Sequence, residues 1–332
     1  FCPVVRLMKV NFLGCDVYKG WNVGVVIPAK NEDLFIKVVL DTIPAFVDNV
    51  VVINDGSTDN TKGIVEAYDC KNYELSLINT DGKGVGAAID HGHQKLCEIN
   101  KDMPFVSVVM AGDGQMDPDD LPKLVEPIIS NGADFVKGNR FIHHDGVNSM
   151  PLIRRIASIM LAFFTTLACG IKIGDPQCGY TATSHIVLRK WNWKKSWMGY
   201  GYPNYWLINL AINHYSIFEV PVRAVYGEEK SGIKMLSFFV RVGGMMFFLH
   251  HKRCIKMLFS RDITPHIIIA LACYILGWIA LLPPFTTDLH TELTVRGVPL
   301  VLVTLAFWYC AHIFDRLSMK TVRELRANAQ NR

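Results

Sequence analysis

Short runs of β-branched and other apolar residues alternate with segments of helical character over residues 22–140. The runs that predict strands are residues 23–28, 50–54, 75–79, 106–110 and 135–136. The segments that predict helices lie between them, at residues 33–43, 59–68, 85–96 and 118–130. Strands that alternate with helices in this way predict an α/β domain, in which a mostly parallel sheet has helices on both faces.

A polar cluster follows each of the first four predicted strands, at residues 28–32, 55–59, 81–84 and 111–118. Ligands of such sheets bind where the strands end, so four successive clusters predict a ligand cleft. Carboxylates and amides suit hydroxyl groups and a nucleoside base, a lysine suits phosphate, and carboxylate oxygens suit a hard metal ion. The glycine-rich motifs of dinucleotide-binding and P-loop proteins are missing here, which excludes those two classes.

The net charge and the spacing of the cysteines exclude further classes of protein. The chain has 332 residues, and its net charge of +4 is the difference between 34 basic and 30 acidic residues. So small an excess gives no case for a nucleic-acid partner. The nine cysteines include no CxxC pair, which favours a reducing cytoplasm over a disulfide framework or a zinc ribbon. The N-terminal residues show no signal-peptide pattern.

Two long uncharged stretches lie towards the C-terminus, at residues 264–287 and 297–314. Each reaches roughly the 20 residues that a membrane-spanning helix needs. Buried core helices are the alternative, although a core helix rarely lacks a polar face over such a length. We therefore expect a two-helix transmembrane hairpin over residues 263–316, with spans at about 264–285 and 297–315.

The charges that flank these stretches predict their orientation. Basic residues precede the first stretch and follow the second, whereas the connecting loop holds one arginine and two acids. By the positive-inside rule, both ends of the hairpin are cytoplasmic. We therefore expect a multi-pass protein of the cell membrane or an endomembrane, with a cytoplasmic domain over residues 1–229 and a cytoplasmic tail over residues 317–332.

The segment between the domain and the hairpin is basic and aromatic. Residues 230–262 hold seven lysines and arginines and one acid, mixed with phenylalanines and methionines. This composition predicts amphipathic helices in the headgroup region of a membrane, with a solvated basic linker as the alternative.

Seven motifs, taken in order, carry a resemblance to a known family. They are VVIPAKNE, VVINDGSTDNT, DGKGVGAAI, GDGQMDPDDL, KGNR, PLIRR and GDPQCGYTA. Over about residues 22–235 this set resembles family-2 glycosyltransferases of the GT-A fold, which is Rossmann-like, and within them the dolichyl-phosphate mannose synthase-like group. The resemblance implies a catalytic domain that transfers one hexose from a nucleotide sugar, UDP- or GDP-linked, to a polyprenyl or dolichyl phosphate at the cytoplasmic face.

The resemblance also assigns residues to the nucleotide-sugar donor. Its nucleotide-binding positions are Pro28, Ala29, Asn31, Glu32, Asp55, Ser57, Lys83, Gly112 and Asp113. A looser match places Gln177, Arg223, Lys230 and Lys234 in loops around the donor. Among these residues Lys83 is expected near the phosphates, because an ammonium group suits a diphosphate.

The resemblance implies a metal site at Asp113 and Gln115, which would hold Mg2+ or Mn2+ together with diphosphate oxygens. Asp113 matches the second carboxylate of the family's DxD pattern, and Ala111 stands where the first would be. Because one anionic ligand is missing, we expect the metal affinity to be low in the absence of nucleotide.

Arg140 and Arg154 match the two arginines of the family that hold the acceptor phosphate, and Arg155 is adjacent. Guanidinium groups suit a phosphate dianion, although two surface arginines are the plain alternative. Together with Asp113 these arginines form the implied catalytic set. A lipid phosphate is largely ionised at neutral pH and needs no strong general base. The expected reaction is a single displacement with inversion at the anomeric carbon.

Two other functions fit parts of the pattern. A processive polysaccharide synthase shares the fold, but it would be expected to carry a QxxRW motif and more spans than the two predicted here. An inactive nucleotide-sugar-binding membrane protein is the second alternative, because of Ala111. General similarity slightly favours UDP over GDP in the donor, while the sugar, the lipid length and the oligomeric state stay open.

Overall fold

The computed structural model describes residue 18 and residues 20–70, 72–143, 150, 152–223, 235–260, 263–281 and 300–330. The chain divides into two compact units. Unit 1 comprises Phe1–Pro151, Cys178–Tyr202 and Ser216–Ser231, and unit 2 comprises Leu152–Gln177, Pro203–Tyr215 and Gly232–Arg332. Each unit is therefore assembled from separate parts of the sequence.

Unit 1 is built on a seven-stranded sheet. Its strands are β1 (Asn22–Ala29), β2 (Asn49–Asp55), β3 (Glu74–Thr80), β4 (Phe105–Val109), β5 (Phe135–Asn139), β6 (Thr181–Ser184) and β7 (Ile217–Pro221). The order across the sheet is β3-β2-β1-β4-β6-β5-β7. β1 pairs in parallel with β2 and β4, and β5 with β7, whereas β6 runs antiparallel to both of its neighbours. The mostly parallel α/β sheet is confirmed, with β6 as a reversed strand that the sequence did not indicate.

The helices occupy the segments between and after these strands. They are α1 (Ile36–Thr42), α2 (Thr61–Glu66), α3 (Val85–Ile99), α4 (Leu121–Asn131), α5 (Leu152–Cys169), α6 (His185–Lys190), α7 (Tyr202–Ile212), α8 (Met235–Leu258), α9 (Pro265–Ile279) and α10 (Leu300–Gln330), with a short 3-10 turn (Pro118–Asp120) before α4. All four helical segments predicted between the strands are present, although α1 begins three residues later than predicted.

Strand β5 is three residues longer than predicted because a lysine continues it. Lys137 is fully buried, and its ammonium group donates a hydrogen bond to the carbonyl of Cys178. A buried cation needs such a partner, since its desolvation is costly without one. The apolar pattern therefore stopped at Val136, whereas the strand continues to Asn139.

Helix α3 packs very closely on the sheet, and two glycines permit the approach. A Cβ atom on Gly92 of α3 would lie 2.2 Å from Val26 Cγ1, and one on Gly24 of β1 would lie 2.6 Å from Leu96 Cδ1. Real Cβ atoms do not come so near to other atoms, so a side chain at either position would force the neighbouring side chain or the helix to move. The core beneath α3 thus depends on two residues that have no side chain.

A fully buried ion pair joins two helices within unit 2. The guanidinium of Arg253 on α8 contacts both carboxylate oxygens of Asp315 on α10, at 2.5 and 2.9 Å. Arg253 Nε also donates to the carbonyl of Ala168 in α5, at 2.8 Å. The hydroxyls of Thr264 and Ser318 lie 2.6 Å apart and connect α10 to the residue before α9. These contacts fix the rotation of α10 about its own axis.

The predicted transmembrane hairpin is not confirmed. In place of the two spans the structure has α9, with 15 residues, and α10, with 31 residues, while residues 282–299 lie outside the described part. Among the residues that the structure describes, no helix combines the length and the apolar character needed to cross a membrane. The predicted juxtamembrane segment is largely occupied by α8.

Substitution Gly92→Ala tests the contact between α3 and the sheet. The new methyl group would overlap Val26, and we expect a loss of about 1–3 kcal/mol in the free energy of unfolding. Urea denaturation measures this value. Glu98→Ala, at an exposed position of the same helix, is the control and should change it by less than about 0.5 kcal/mol. Equal stability of the Gly92→Ala variant and the unmodified chain would contradict the proposed close contact.

Candidate functional site

The loops that follow β1 and β2 are joined by reciprocal hydrogen bonds. The backbone N–H of Asn31 donates to Ser57 Oγ at 3.0 Å, and the backbone N–H of Thr58 donates to Asn31 Oδ1 at 2.8 Å. Asn31 has a φ of +59°, in the left-handed region that asparagine tolerates better than most residues. Two predicted nucleotide-binding residues, Asn31 and Ser57, are thereby held next to each other.

Asp59 and Thr61 complete this connection, although the sequence analysis gave them no role. Asp59 accepts hydrogen bonds from the backbone N–H groups of Asp33 and Thr61, at 3.1 and 3.0 Å. Thr61 Oγ1 in turn accepts from the N–H of Glu32 at 2.8 Å. Desolvation raises the pKa of Asp59, but these hydrogen bonds outweigh it and leave the pKa below its ordinary value. The signal was in the DGSTDNT motif, whose Asp and Thr are typical of residues that cap backbone N–H groups.

The carboxylate of Asp55, at the end of β2, organises the loop after β3. Its Oδ1 accepts hydrogen bonds from Thr80 Oγ1 at 2.6 Å and from the N–H of Lys83 at 2.9 Å, while Oδ2 accepts from the N–H of Gly84 at 2.8 Å. Asp55 is buried, with only 4% of its surface exposed. In this arrangement Asp55 positions the backbone of Lys83, so these two predicted residues act together.

The turns after β2 and β3 touch through glycines. Gly56 and Gly82 have φ angles of +71° and +74°, and a Cβ atom on Gly56 would lie 2.9 Å from the nitrogen of Gly82. The ammonium group of Lys30 would be 3.6 Å from a Cβ atom on Gly82. Lys30 therefore adds a second cation to this end of the sheet. Lys30 was not predicted as a site residue, although it lies inside the PAKNE cluster.

The segment after β4 packs against the end of β1. The N–H of Gly112 donates to the carbonyl of Pro28 at 3.2 Å, and a Cβ atom on Gly112 would lie 3.2 Å from Cβ of Ala29. Three predicted residues, Pro28, Ala29 and Gly112, are thus in contact. The structure brings the loops after β1, β2, β3 and β4 together at one edge of the sheet, as parallel strand ends predict.

Asp113 lies in this segment and is mostly shielded from water. Its Oδ1 accepts a hydrogen bond from the N–H of Gln115 at 3.0 Å. Burial raises the pKa of the Asp113 carboxyl above its ordinary value, against the lowering effect of this hydrogen bond. A desolvated carboxylate is stabilised by a nearby cation, and carboxylate and amide oxygens are the hard donors that Mg2+ and Mn2+ prefer. Asp113 therefore offers an oxygen donor that suits a divalent ion, Gln115 lies two residues further along as the second predicted ligand, and Ala111 contributes none.

The structure describes only some of the predicted acceptor-phosphate arginines and donor-loop lysines. Arg140, half-buried, follows β5 directly in unit 1, and Arg155 is exposed on α5 in unit 2. Arg154 also lies in α5, but its side chain is outside the described part, as are Lys230 and Lys234 altogether. The acceptor-phosphate assignment of these arginines stays a prediction.

Two predicted donor-loop residues, Arg223 and Gln177, form polar contacts with other residues of the unit to which they belong. In unit 1, Arg223 forms an ion pair with Asp117 at 3.2 Å, and its N–H donates to Asp120 at 2.6 Å. In unit 2, Gln177 Nε2 donates to Asn204 Oδ1 at 2.6 Å. Their roles towards the donor stay predictions.

A segment before α7 covers the N-terminus of α3. The carbonyl of Met198 accepts a hydrogen bond from the N–H of Gly86 at 2.9 Å, and a Cβ atom on Gly86 would lie only 2.0 Å from the carbonyl oxygen of Trp197. Asp90 of α3 accepts from the hydroxyls of Ser196 and Tyr202. The third glycine of DGKGVGAAI was the available signal for this contact, and the sequence analysis did not use it.

One further group of metal-ligating side chains lies in the described part of unit 2. His250, Cys254 and Asp315 place their ligand atoms within 4.8 Å of one another. Both oxygens of Asp315 already bind the guanidinium of Arg253. This cluster is therefore part of the structural ion pair between α8 and α10.

Comparison with protein families and with curated proteins gives a consistent match. Residues 24–193 match glycosyl transferase family 2. A UDP-N-acetylglucosamine–dolichyl-phosphate N-acetylglucosaminyltransferase of Methanococcus voltae is 30% identical over 61% of this chain and 85% of its own length. A dolichol-phosphate mannosyltransferase of Pyrococcus furiosus is 32% identical over 41% of this chain and 38% of its own length. A dolichyl-phosphate beta-glucosyltransferase of Trichomonas vaginalis is 30% identical over 47% of this chain and 49% of its own length.

Among solved structures, glucosyl-3-phosphoglycerate synthase of Mycobacterium tuberculosis, in complex with Mn2+, UDP-glucose and phosphoglyceric acid, has a TM-score of 0.52. The match covers 69% of this chain and 80% of that one at 20% identity. At this identity the likeness concerns the fold, and it confirms a GT-A-like mixed α/β sheet.

Substitution Asp55→Asn tests the organising role of that carboxylate. An amide offers one acceptor oxygen and would turn its NH2 group towards an N–H or hydroxyl donor. We expect a loss of about 1–3 kcal/mol in the free energy of unfolding, measured by urea denaturation. The control is Asp81→Asn, an exposed position in the neighbouring turn, which should stay within about 0.5 kcal/mol of the unmodified chain. Equal effects of both substitutions would remove Asp55 from this role.

Proposed function

The chain belongs to glycosyl transferase family 2, and from this we propose that it transfers one sugar from a UDP-linked donor to a polyprenyl or dolichyl phosphate. The observation that carries the proposal is the convergence of four strand-end loops, which are joined by hydrogen bonds of Asn31, Asp55 and Gly112. Such an edge offers carboxylates, amides and ammonium groups to a nucleoside diphosphate. The relatives that are named for dolichyl-phosphate acceptors support the acceptor class.

A uridine nucleotide is the donor class that the similar proteins favour. The Methanococcus voltae relative is named for UDP-N-acetylglucosamine, and the Mycobacterium tuberculosis structure contains UDP-glucose. We therefore place UDP-N-acetylglucosamine first among the candidate donors. In the proposed complex the base and ribose lie against Asn31, Ser57 and Gly112, and the diphosphate lies near Lys83.

The chemistry of the proposed reaction is one displacement. An oxygen of the acceptor phosphate forms a bond to the anomeric carbon, while the bond from that carbon to the donor diphosphate breaks and its electron pair leaves with the nucleoside diphosphate. The acceptor monoester is largely ionised at neutral pH, so no side chain has to remove a proton from it. The residues act by positioning and by neutralising charge.

We assign the charge neutralisation to cations at this edge. Mg2+ or Mn2+ would be held by Asp113 and Gln115 and, when bound, would neutralise the charge that builds on the departing diphosphate. Lys83 supplies a further positive charge to the diphosphate. Arg140 and Arg154, with Arg155 next to the latter, are proposed for the acceptor phosphate because a guanidinium group forms paired hydrogen bonds with phosphate oxygens.

We further propose that unit 2 contacts lipid. Its helices expose large apolar side chains at helical spacing, and soluble surfaces rarely present contiguous apolar patches of this kind. They include Ile156, Ile159 and Phe163 on α5, Val240, Phe247 and Phe248 on α8, Phe259 in the turn after it, Ile268 and Ile275 on α9, and Leu302 and Leu305 on α10. Contact with the cell membrane or an endomembrane, with the catalytic residues on the cytoplasmic side, would bring the enzyme to a lipid acceptor.

Transfer of radiolabelled sugar to polyprenyl phosphate tests the proposed activity. The full chain, purified in detergent, would be offered UDP-N-acetylglucosamine, UDP-glucose and GDP-mannose, each with Mg2+, Mn2+ or EDTA. We expect labelled lipid from a UDP-linked donor and its loss in EDTA, because the diphosphate needs charge neutralisation. Measurable UDP binding without labelled lipid from any donor would contradict the proposal and favour a nucleotide-sugar-binding protein instead.

Asp113→Asn separates catalysis from stability. A raised acid pKa means that the folded chain favours the protonated form, so the charged carboxylate costs stability above the pKa of the unfolded chain, including at pH 7. The neutral variant should melt at the same temperature or higher at pH 7, yet lose transfer activity by about 100-fold or more. Asp119→Asn, an exposed neighbour in the same segment, should keep its activity. Full activity of Asp113→Asn would exclude Asp113 as a metal ligand.

A further inference from the structure

A cavity of about 530 Å3 lies within unit 2 and has no assigned role. The described residues that form it come from the turn after α5 and from one side of α10, and all of them belong to unit 2. Its volume is in the range of small-molecule sites. The described lining residues include four cationic side chains, Lys172, Arg316, Lys320 and Arg323, and one carboxylate, Glu324. An excess of positive charge in a concave site predicts an anionic ligand.

Contacts within unit 2 position the backbone that carries two of these cations, Lys172 and Arg316. Gly170 begins the turn with a φ of +69°, and a Cβ atom there would lie 2.8 Å from both Arg253 Nη1 and Met319 Cγ. The turn that carries Lys172 is therefore packed tightly against α8 and α10. On α10 the buried Asp315 is fixed by Arg253, so the next residue, Arg316, is presented on an exposed side of the helix.

The acidic side chain offsets only part of this charge. Glu324 and Lys320 are both largely exposed, and their charged atoms lie 3.9 Å apart. An exposed pair at this distance is weak, so an anion can compete with Glu324 for Lys320.

The same side of α10 is apolar on the N-terminal side of the cations. Leu302, Leu305, Tyr309 and Ile313 follow one another at intervals of three or four residues, which places them on one face of the helix. Tyr309 is 67% exposed, and Ile313 and Tyr309 also line the cavity. The apolar part of this face is about 16 Å long, at the rise of an α-helix. The face therefore changes along its length from apolar to cationic.

We propose that this cavity binds the headgroup of an anionic glycerophospholipid from the membrane surface, with its acyl chains along the apolar part of α10. The inference rests on the lipid contact proposed above for unit 2. A phosphodiester with apolar chains matches both parts of the face, and basic pockets at a cytoplasmic membrane surface are typical sites for anionic headgroups. Neither Arg140 nor Arg155, two of the arginines assigned to the acceptor phosphate, is among the described residues that line the cavity.

Binding of short-chain lipids to the purified full chain in detergent tests this site. Dihexanoyl phosphatidylglycerol is the probe, and titration calorimetry measures its dissociation constant. Dihexanoyl phosphatidylcholine, inorganic phosphate and farnesyl phosphate are the comparison ligands. We expect saturable binding of phosphatidylglycerol that weakens at higher ionic strength, and binding at least about tenfold weaker for the other three.

The double substitution Arg316→Gln/Lys320→Gln should weaken phosphatidylglycerol binding at least about tenfold. Arg241→Gln, an exposed arginine of α8 outside the cavity, is the matched control and should change it less than about twofold. Thermal unfolding by circular dichroism verifies that the variants fold, and the single substitution Lys320→Gln replaces the double one if it does not. Unchanged binding in a folded cavity variant overturns the inference.

The comparison ligands define the other contrary outcomes. Equal binding of phosphatidylcholine would show that charge does not select the ligand, and equal binding of inorganic phosphate would show that no lipid is needed. Displacement by farnesyl phosphate at equal concentration would assign the cavity to the acceptor instead. Transfer activity, measured separately, distinguishes the two proposals: activity without phosphatidylglycerol binding overturns only this inference, and binding without activity overturns only the proposed function.

Discussion

The candidate site depends on one buried carboxylate. Asp55 accepts one hydrogen bond from Thr80, the last residue of β3, and two from backbone N–H groups of the loop that follows this strand. Burial of this charge is tolerated because the carboxylate oxygens accept three hydrogen bonds. Around it, the turns at Gly56 and Gly82 come into contact, and the loops after β1 and β2 are joined through Asn31. Loops that would otherwise be independent thus form one rigid edge.

Much of this fold could be predicted from the sequence because its central strands are buried on both faces. β2 is buried at every position, and such strands appear as continuous apolar runs with sharply defined ends. The predicted ends of strands and helices were less accurate where a polar side chain is buried in the core or where polar contacts are made just before a helix. Lys137 continues β5 beyond the last apolar residue of the strand. Residues 33–35 form a turn before α1, in which the N–H of Asp33 donates to Asp59.

The location of the candidate site could be predicted from the sequence, whereas the role of each residue within the site was harder to predict. Strand ends located Asn31, Ser57, Asp55, Lys83 and Gly112, since topology alone brings these residues to one edge. The hydrogen bonds that join the side chain of one loop to the backbone of another could not be inferred, because such bonds do not recur at a regular spacing in the sequence. For this reason Asp59, Thr61 and Lys30 were missed. The reversed direction of β6 was equally hidden, because strand direction depends on long-range pairing.

The carbonyl of Met198, which lies over the N-terminus of α3, affects how negative charge could be balanced at the site. The first N–H groups of a helix carry a partial positive charge and commonly bind phosphate. In this chain the carbonyl of Met198 accepts from the N–H groups of Gly86 and Ala87, so the backbone dipole of α3 is used within the protein. A diphosphate bound nearby would have to be balanced by ammonium groups and a dissociable ion. Salt in the surroundings screens ammonium groups and competes for a dissociable ion, so the ionic composition of the surroundings would influence how tightly such a diphosphate is held.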